Sequence, residues 1–273
     1  MGSLTIAVAL ALNIAQSSGE FVDSRLAGLN PTNAISRYLE YSQRGAKDVF
    51  VPNTNFWLRG VDFSCVSPWN SGGGRLRAGT AISKRHVVLA SHFSLWKGVR
   101  IVFVGEDGGV CPCYIENTRK VGKTDILIGL LNAELTPNIH PAKILPEDCE
   151  KYIGTGEGLP VVTFNQHEQA LLTESEAIVT NGVPKKGFRS RKPGDERRRA
   201  FMKMIVVGDS GNPSFLLVDG TPILLYCLHG HGYGCGSGPS IFAYRREVQA
   251  AMDELCPGYK LEAFDFAQMT SGK

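Results

Sequence analysis

This chain has no apolar run long enough to cross a bilayer, no strong excess of either charge, no internal repeat and no even count of cysteines. Each shortage removes a class of protein. A membrane-spanning helix needs about 20 consecutive apolar residues, and the longest candidate, from Leu4 to Ala15, falls well short. That run reads as a secretion signal within residues 1–20, with a buried N-terminal segment as the alternative, because the positively charged start of a signal is missing. The expected location is secreted or periplasmic, without stable membrane insertion. The net charge is only +3, and nine of the 29 basic residues lie between Lys185 and Lys203. The remainder carries 20 basic against 24 acidic residues, which excludes a general nucleic-acid binder. The basic segment, broken by Pro193-Gly194, reads as an exposed, solvated loop, with contact to a polyanion or acidic partner as its functional alternative. Seven cysteines permit disulfides in an oxidising compartment but leave at least one thiol over, and spacing does not give the connectivity.

With 273 residues, 43% of them hydrophobic, the chain can bury a large core as one functional unit. Short β-rich runs separated by turns extend from Phe56: Phe56–Val61, Gly79–Ser83, His86–Ala90, Val99–Val104, Ile126–Leu131, Leu159–Asn165, Ala177–Thr180, Phe215–Val218 and Ile223–His229. This spacing predicts an all-β fold, barrel or sandwich, over alternating β/α units. Two helices are expected. Thr32–Tyr41 reads as a short capped helix in an N-terminal extension packed on the outside, and Tyr244–Leu255 has helical apolar spacing followed by Pro257.

Chemistry concentrates at Gly208-Asp209-Ser210-Gly211-Asn212-Pro213, where a serine stands between glycines. A serine hydroxyl is a weak nucleophile until a base takes its proton and a third group orients that base. Both partners occur upstream. His92 closes the run Val87-Val88-Leu89-Ala90-Ser91, and Asp125 opens Ile126-Leu127, giving the chain order His, Asp, Ser. His86 competes as base, but it begins its strand, where a fold-supporting histidine is expected; Glu116 and Glu134 compete with Asp125 but begin no apolar strand. Ser210 is the expected nucleophile and Asp125 the orienter of its base.

On Gly79-Thr80-Ala81-Ile82-Ser83 leading to Ala90-Ser91-His92, then Thr124-Asp125-Ile126 and Gly208-Asp209-Ser210-Gly211, the chain resembles the trypsin/chymotrypsin-like serine peptidases over roughly Phe56 to Leu255. The resemblance implies two six-stranded antiparallel β-barrels with a C-terminal helix. Residues 56–140 would hold His92 and Asp125, residues 141–256 would hold Ser210, residues 21–55 would be an extension and 257–273 a tail. It implies a serine endopeptidase acting on proteins or peptides through an acyl-enzyme, with His92 rather than His86 as the base, the amides of Gly208 and Ser210 binding the oxyanion, and no cofactor and no metal. The alternative is a catalytically silent family member acting as a binding module.

Departures from the family pattern shape further expectations. Phe93 stands where a cysteine often follows the histidine, and Val206 or Val207 where another precedes the active-site glycine. No Ile-Val-Gly-Gly-like start lies between Ser17 and Asn55 to pair with Asp209 after cleavage, and Asn212 replaces a second glycine. The resemblance puts the specificity position six residues before the serine, at Met204, with Leu228, His229, Gly230, His231 and Ser240 as the opposite wall. That pocket has no carboxylate for a basic P1 side chain, so an apolar or acidic P1 is expected unless a shifted loop brings Asp219 or another carboxylate to its base. His229, His231 and Cys235 also form a loose metal-ligand pattern lacking a fourth partner, and a cleft wall explains them more economically.

Overall fold

The computed structural model describes residues 14, 16–42, 48–68, 77–230 and 234–266. His231 and nearly all of the Leu4–Ala15 run lie outside them. Two curled half-barrel sheets carry the fold, with few helices. The first has five antiparallel strands: β1 (Thr80–Ala81), β2 (His86–Ala90), β3 (Arg100–Val104), β4 (Val110–Lys120) and β5 (Ile126–Leu131), in the order β1-β2-β5-β4-β3. Every residue of β2 and β5 is buried, as expected of continuous apolar runs with both faces covered. In β4 burial alternates through Cys111, Cys113 and Ile115, so one face of that strand meets water.

The second sheet has seven strands: β6 (Lys143–Ile144), β7 (Pro160–Phe164), β8 (Ala170–Ser175), β9 (Gly187–Arg191), β10 (Pro213–Val218), β11 (Thr221–Cys227) and β12 (Ser237–Pro239), in the order β12-β9-β8-β7-β10-β11-β6. Among the described residues the sheets have five and seven strands where six and six were expected, and β6 joins β11 in parallel, so this sheet is not wholly antiparallel. A helix over Arg245–Leu255 packs Val248, Ala251 and Met252 inward, close to where periodicity placed it. Between the sheets, the Phe63 ring meets Phe164 of β7 edge-on at 4.9 Å and Phe215 of β10 at 5.6 Å.

Four local expectations are corrected. The segment 56–61 is a run of turns, not a strand, because Trp57 plugs the core and donates its indole N–H to the Ala170 carbonyl at 2.9 Å. Thr32–Tyr41 is not one helix: Asn30 caps a single turn over Pro31–Ala34, after which Tyr38–Ser42 pairs with Val49–Pro52 as a hairpin. The N-terminal extension is not external, since residues 16–26 form a helix whose Val22 and Leu26 join the core and whose Ser18 hydroxyl donates to Leu217. The basic segment is not a free loop. Its Gly187–Arg191 part is β9, paired on both sides with Phe188 and Ser190 turned inward, and a helical turn follows over Glu196–Ala200.

None of the seven cysteines is joined in a disulfide, and six of them are buried. The C-terminal segment is more than a tail, because Phe264 donates its amide to Ile144 and Phe266 is fully buried. Among the described residues no helix is long and apolar enough to cross a membrane.

Candidate active site

Strand register brings His92 and Asp125 together. Ala90, the last residue of β2, pairs with Ile126, the first of β5, so the residues just beyond this rung face each other. Thr124 shapes the approach, its hydroxyl donating to Val121 at 2.6 Å and accepting the Ile126 amide at 3.1 Å. Ser91–Phe93 form one 3-10 turn, with the Ser91 amide donating to the Asp125 carbonyl at 2.7 Å and the His92 amide to Asp125 Oδ1 at 3.0 Å. The other carboxylate oxygen, Oδ2, lies 2.7 Å from His92 Nδ1. On its far side, His92 Nε2 lies 2.9 Å from Ser210 Oγ.

Ser210 arrives from the second sheet on a turn. Val206 accepts the Asp209 amide at 3.1 Å, and Gly208 holds φ +103° at the third position, the type II signature that requires glycine. Gly211, at φ +87°, is where the sheets meet: an added Cβ would sit 3.3 Å from the Ala78 carbonyl oxygen. Its amide donates to Leu228 at 2.8 Å, which locks the turn to the segment leaving β11. The amides of Gly208 and Ser210 donate to no other described residue, as donors for an anion must.

Asp209 is buried, with no cationic partner among the described residues. Its carboxylate accepts the amides of Gln166 at 3.0 Å and Val206 at 2.8 Å, and these hold the turn in place of a liberated N-terminus. Asn212 donates its side-chain amide to the Asp209 carbonyl at 3.0 Å, a local brace that a glycine at that position cannot supply.

A cavity of about 220 Å³ opens beside the serine, lined by His92, Ile205, Val206, Val207, Ser210, Leu228, His229 and Gly230. Leu228, His229 and Gly230 thus stand where expected, whereas Met204 and Ser240 do not. Met204 is 69% exposed and one residue off: the chain turns so that buried Ile205 faces the cavity. Ser240 is buried and accepts the Ala243 amide, where it braces the start of the C-terminal helix. None of the described lining side chains is acidic, and Asp219 sits in the β10–β11 turn.

Around the corner a second cleft of about 840 Å³ shares Asp125 with the relay and His229 with the smaller cavity, and is lined by Lys120, Lys123, Lys185, Lys186 and Arg189 against the single further acid Glu176. His86 lies fully buried with Nδ1 2.8 Å from the Ser83 hydroxyl, out of reach of any substrate.

His229 carries a contact that the sequence reading did not contain. Its Nδ1 lies 2.9 Å from Asp125 Oδ2, the oxygen already facing His92, and the two imidazoles meet edge to face with centroids 5.1 Å apart. Nothing in the residue pattern signals it, because it joins positions over a hundred residues apart. Compared with known proteins, the chain matches no family model and no curated protein.

Proposed function

We propose that this protein is a serine endopeptidase of the trypsin/chymotrypsin-like kind, its two sheets acting as the two barrels of that fold. The observation that carries the reading is the continuous relay from Asp125 Oδ2 to His92 Nδ1 at 2.7 Å and from His92 Nε2 to Ser210 Oγ at 2.9 Å. In this mechanism Ser210 Oγ bonds to the scissile carbonyl carbon as its proton passes to His92 Nε2, and His92 returns that proton to the leaving amine as the C–N bond breaks. Water, deprotonated by the same imidazole, then releases the acyl group. The unengaged amides of Gly208 and Ser210 would bind the oxyanion, each worth about 3 kcal/mol.

Substrate preference follows from the two clefts. A basic P1 side chain would meet Ile205, Val206, Val207 and Leu228 with no carboxylate among the described lining residues, and leaving an ion so unpaired costs several kcal/mol. The lysine-rich cleft favours substrates carrying acidic side chains beside the scissile bond. Asp209 supports a chain competent without activation cleavage, because backbone amides already satisfy it.

The reading is tested with a fluorophosphonate probe, which forms a covalent adduct only with an activated serine. Stoichiometric labelling located by mass spectrometry at Ser210, and absent in Ser210→Ala, is the expected result. No labelling of the folded protein would leave the silent binding module as the function.

A further inference from the structure

We propose that His92, Asp125 and His229 form a reversible site for a borderline divalent transition metal, with zinc as the type case, and that its occupancy switches Ser210 off. The switch rests on the peptidase reading; the metal site does not. One carboxylate oxygen, Asp125 Oδ2, faces two imidazole nitrogens, His92 Nδ1 at 2.7 Å and His229 Nδ1 at 2.9 Å. Ligand atoms of the three residues all lie within 4.8 Å of one another. Two histidines and a carboxylate with a fourth position open to water make up a donor set characteristic of zinc, whereas magnesium and calcium select oxygen.

The geometry needs little change. Zinc takes its ligands at roughly 2.0–2.2 Å, which spaces tetrahedral neighbours about 3.3 Å apart, so the two contacts must widen by about half an ångström. His229 is 54% exposed and His92 41%, and both can yield, while Asp125 at 13% is held by two backbone contacts and stays as the anchor. The site opens onto the cleft of about 840 Å³, so an ion has a path in.

Proton placement explains the silencing. Without metal, both imidazoles present Nδ1–H to the shared oxygen, which leaves His92 Nε2 as the acceptor for the serine proton. Metal bound through Nδ1 moves each ring's one proton to Nε2, with no net release. His92 then points a donor at Ser210 Oγ and has no lone pair to take the proton. The nucleophile is disarmed without any change of fold.

The test is zinc titration of Ser210→Ala by calorimetry, since that variant keeps all three ligands whatever the activity of the parent. One site of micromolar affinity is expected, absent with magnesium, and weakened at least about tenfold in His229→Gln. Zinc surviving that substitution is bound elsewhere, at cysteines for example. Should His229→Gln fail to fold, long-range proton–nitrogen NMR on Ser210→Ala supplies the second readout: zinc should move the His92 and His229 protons from Nδ1 to Nε2. In the parent, zinc should slow fluorophosphonate labelling and a chelator should restore it. Absence of binding at submillimolar zinc, equal affinity in His229→Gln, unmoved tautomers, or labelling indifferent to a bound metal would each overturn the proposal. If zinc binds as described but the metal-free parent never labels, the peptidase reading fails and the metal site stands.

Discussion

The two sheets hold their halves of the site by different physical means. On the five-stranded side, His92 and Asp125 flank the rung Ala90–Ile126 of two strands buried along their whole length, so regular pairing sets their spacing. On the seven-stranded side, Ser210 rides a turn that needs φ +103° at Gly208, φ +87° at Gly211 and a buried carboxylate at Asp209. A ladder distributes its positional information over many hydrogen bonds; a turn concentrates it in a few atoms. The first half of the site should therefore tolerate substitution, and the second should not.

The largest effect tests the nucleophile itself. Ser210→Ala removes one hydroxyl from the turn and should lower kcat by about a millionfold, as for other serine triads that act as a unit, with Tm unchanged. Near-parental peptidase activity in this variant would contradict the assignment. Next comes Asp209→Asn, which puts an N–H₂ group in place of one of the two carboxylate oxygens, Oδ1 accepting the Gln166 amide and Oδ2 that of Val206. One buried amide loses its acceptor, a cost of about 1–3 kcal/mol, and the turn should open. Labelling of Ser210 should fall about a hundredfold while the core signal in near-UV dichroism persists. Equal labelling would show that the turn stands without its carboxylate.

The same contrast governs what could be read in the sequence. The boundaries of β2 and β5 coincide with the contiguous apolar runs, because strands buried on both faces have no polar interruptions. β4 escaped notice because its alternating pattern is interrupted by Pro112, yet proline is tolerated there: that half of the strand pairs only with β3. β9 was hidden under charge, its arginines pointing out while Phe188 and Ser190 point in. The triad was legible as order and spacing. The inner wall was misread by one residue, Met204 for Ile205, because a turn's facing depends on dihedrals that residue types do not specify. His229 against Asp125 is a long-range meeting of two side chains, and such contacts leave no local trace.

A third test reaches the ladder through His86, which opens β2. Burial depresses its imidazole to about 4 from an ordinary 6.5. Between those values the unfolded chain binds a proton that the folded one refuses, so stability is full above pH 6.5 and falls as pH drops toward 4. The loss should be about 3 kcal/mol. Many carboxylates also titrate in acid, so the measurement is the difference between parent and His86→Gln, which cannot titrate, in denaturant unfolding at pH 7 and pH 4. Parallel curves would mean that His86 is protonated in the folded protein and the strand start is less closed than its burial indicates.

The smallest effect is the sharpest test of the comparison. Ile126 sits at the rung that sets His92 beside Asp125, is 2% exposed, and adjoins Asp125 in sequence. Ile126→Val deletes one buried methyl group and should cost about 1 kcal/mol of stability. If backbone pairing positions the dyad, that loss stays in the unfolding equilibrium and the fluorophosphonate labelling rate changes by less than about twofold, since the amides and carbonyls of β2 and β5 do not depend on the deleted group. If side-chain packing positions it, the small cavity lets Asp125 shift, the relay to Ser210 loosens, and labelling slows by tenfold or more. The second outcome would erase the distinction between ladder and turn, because both halves would then depend on single contacts.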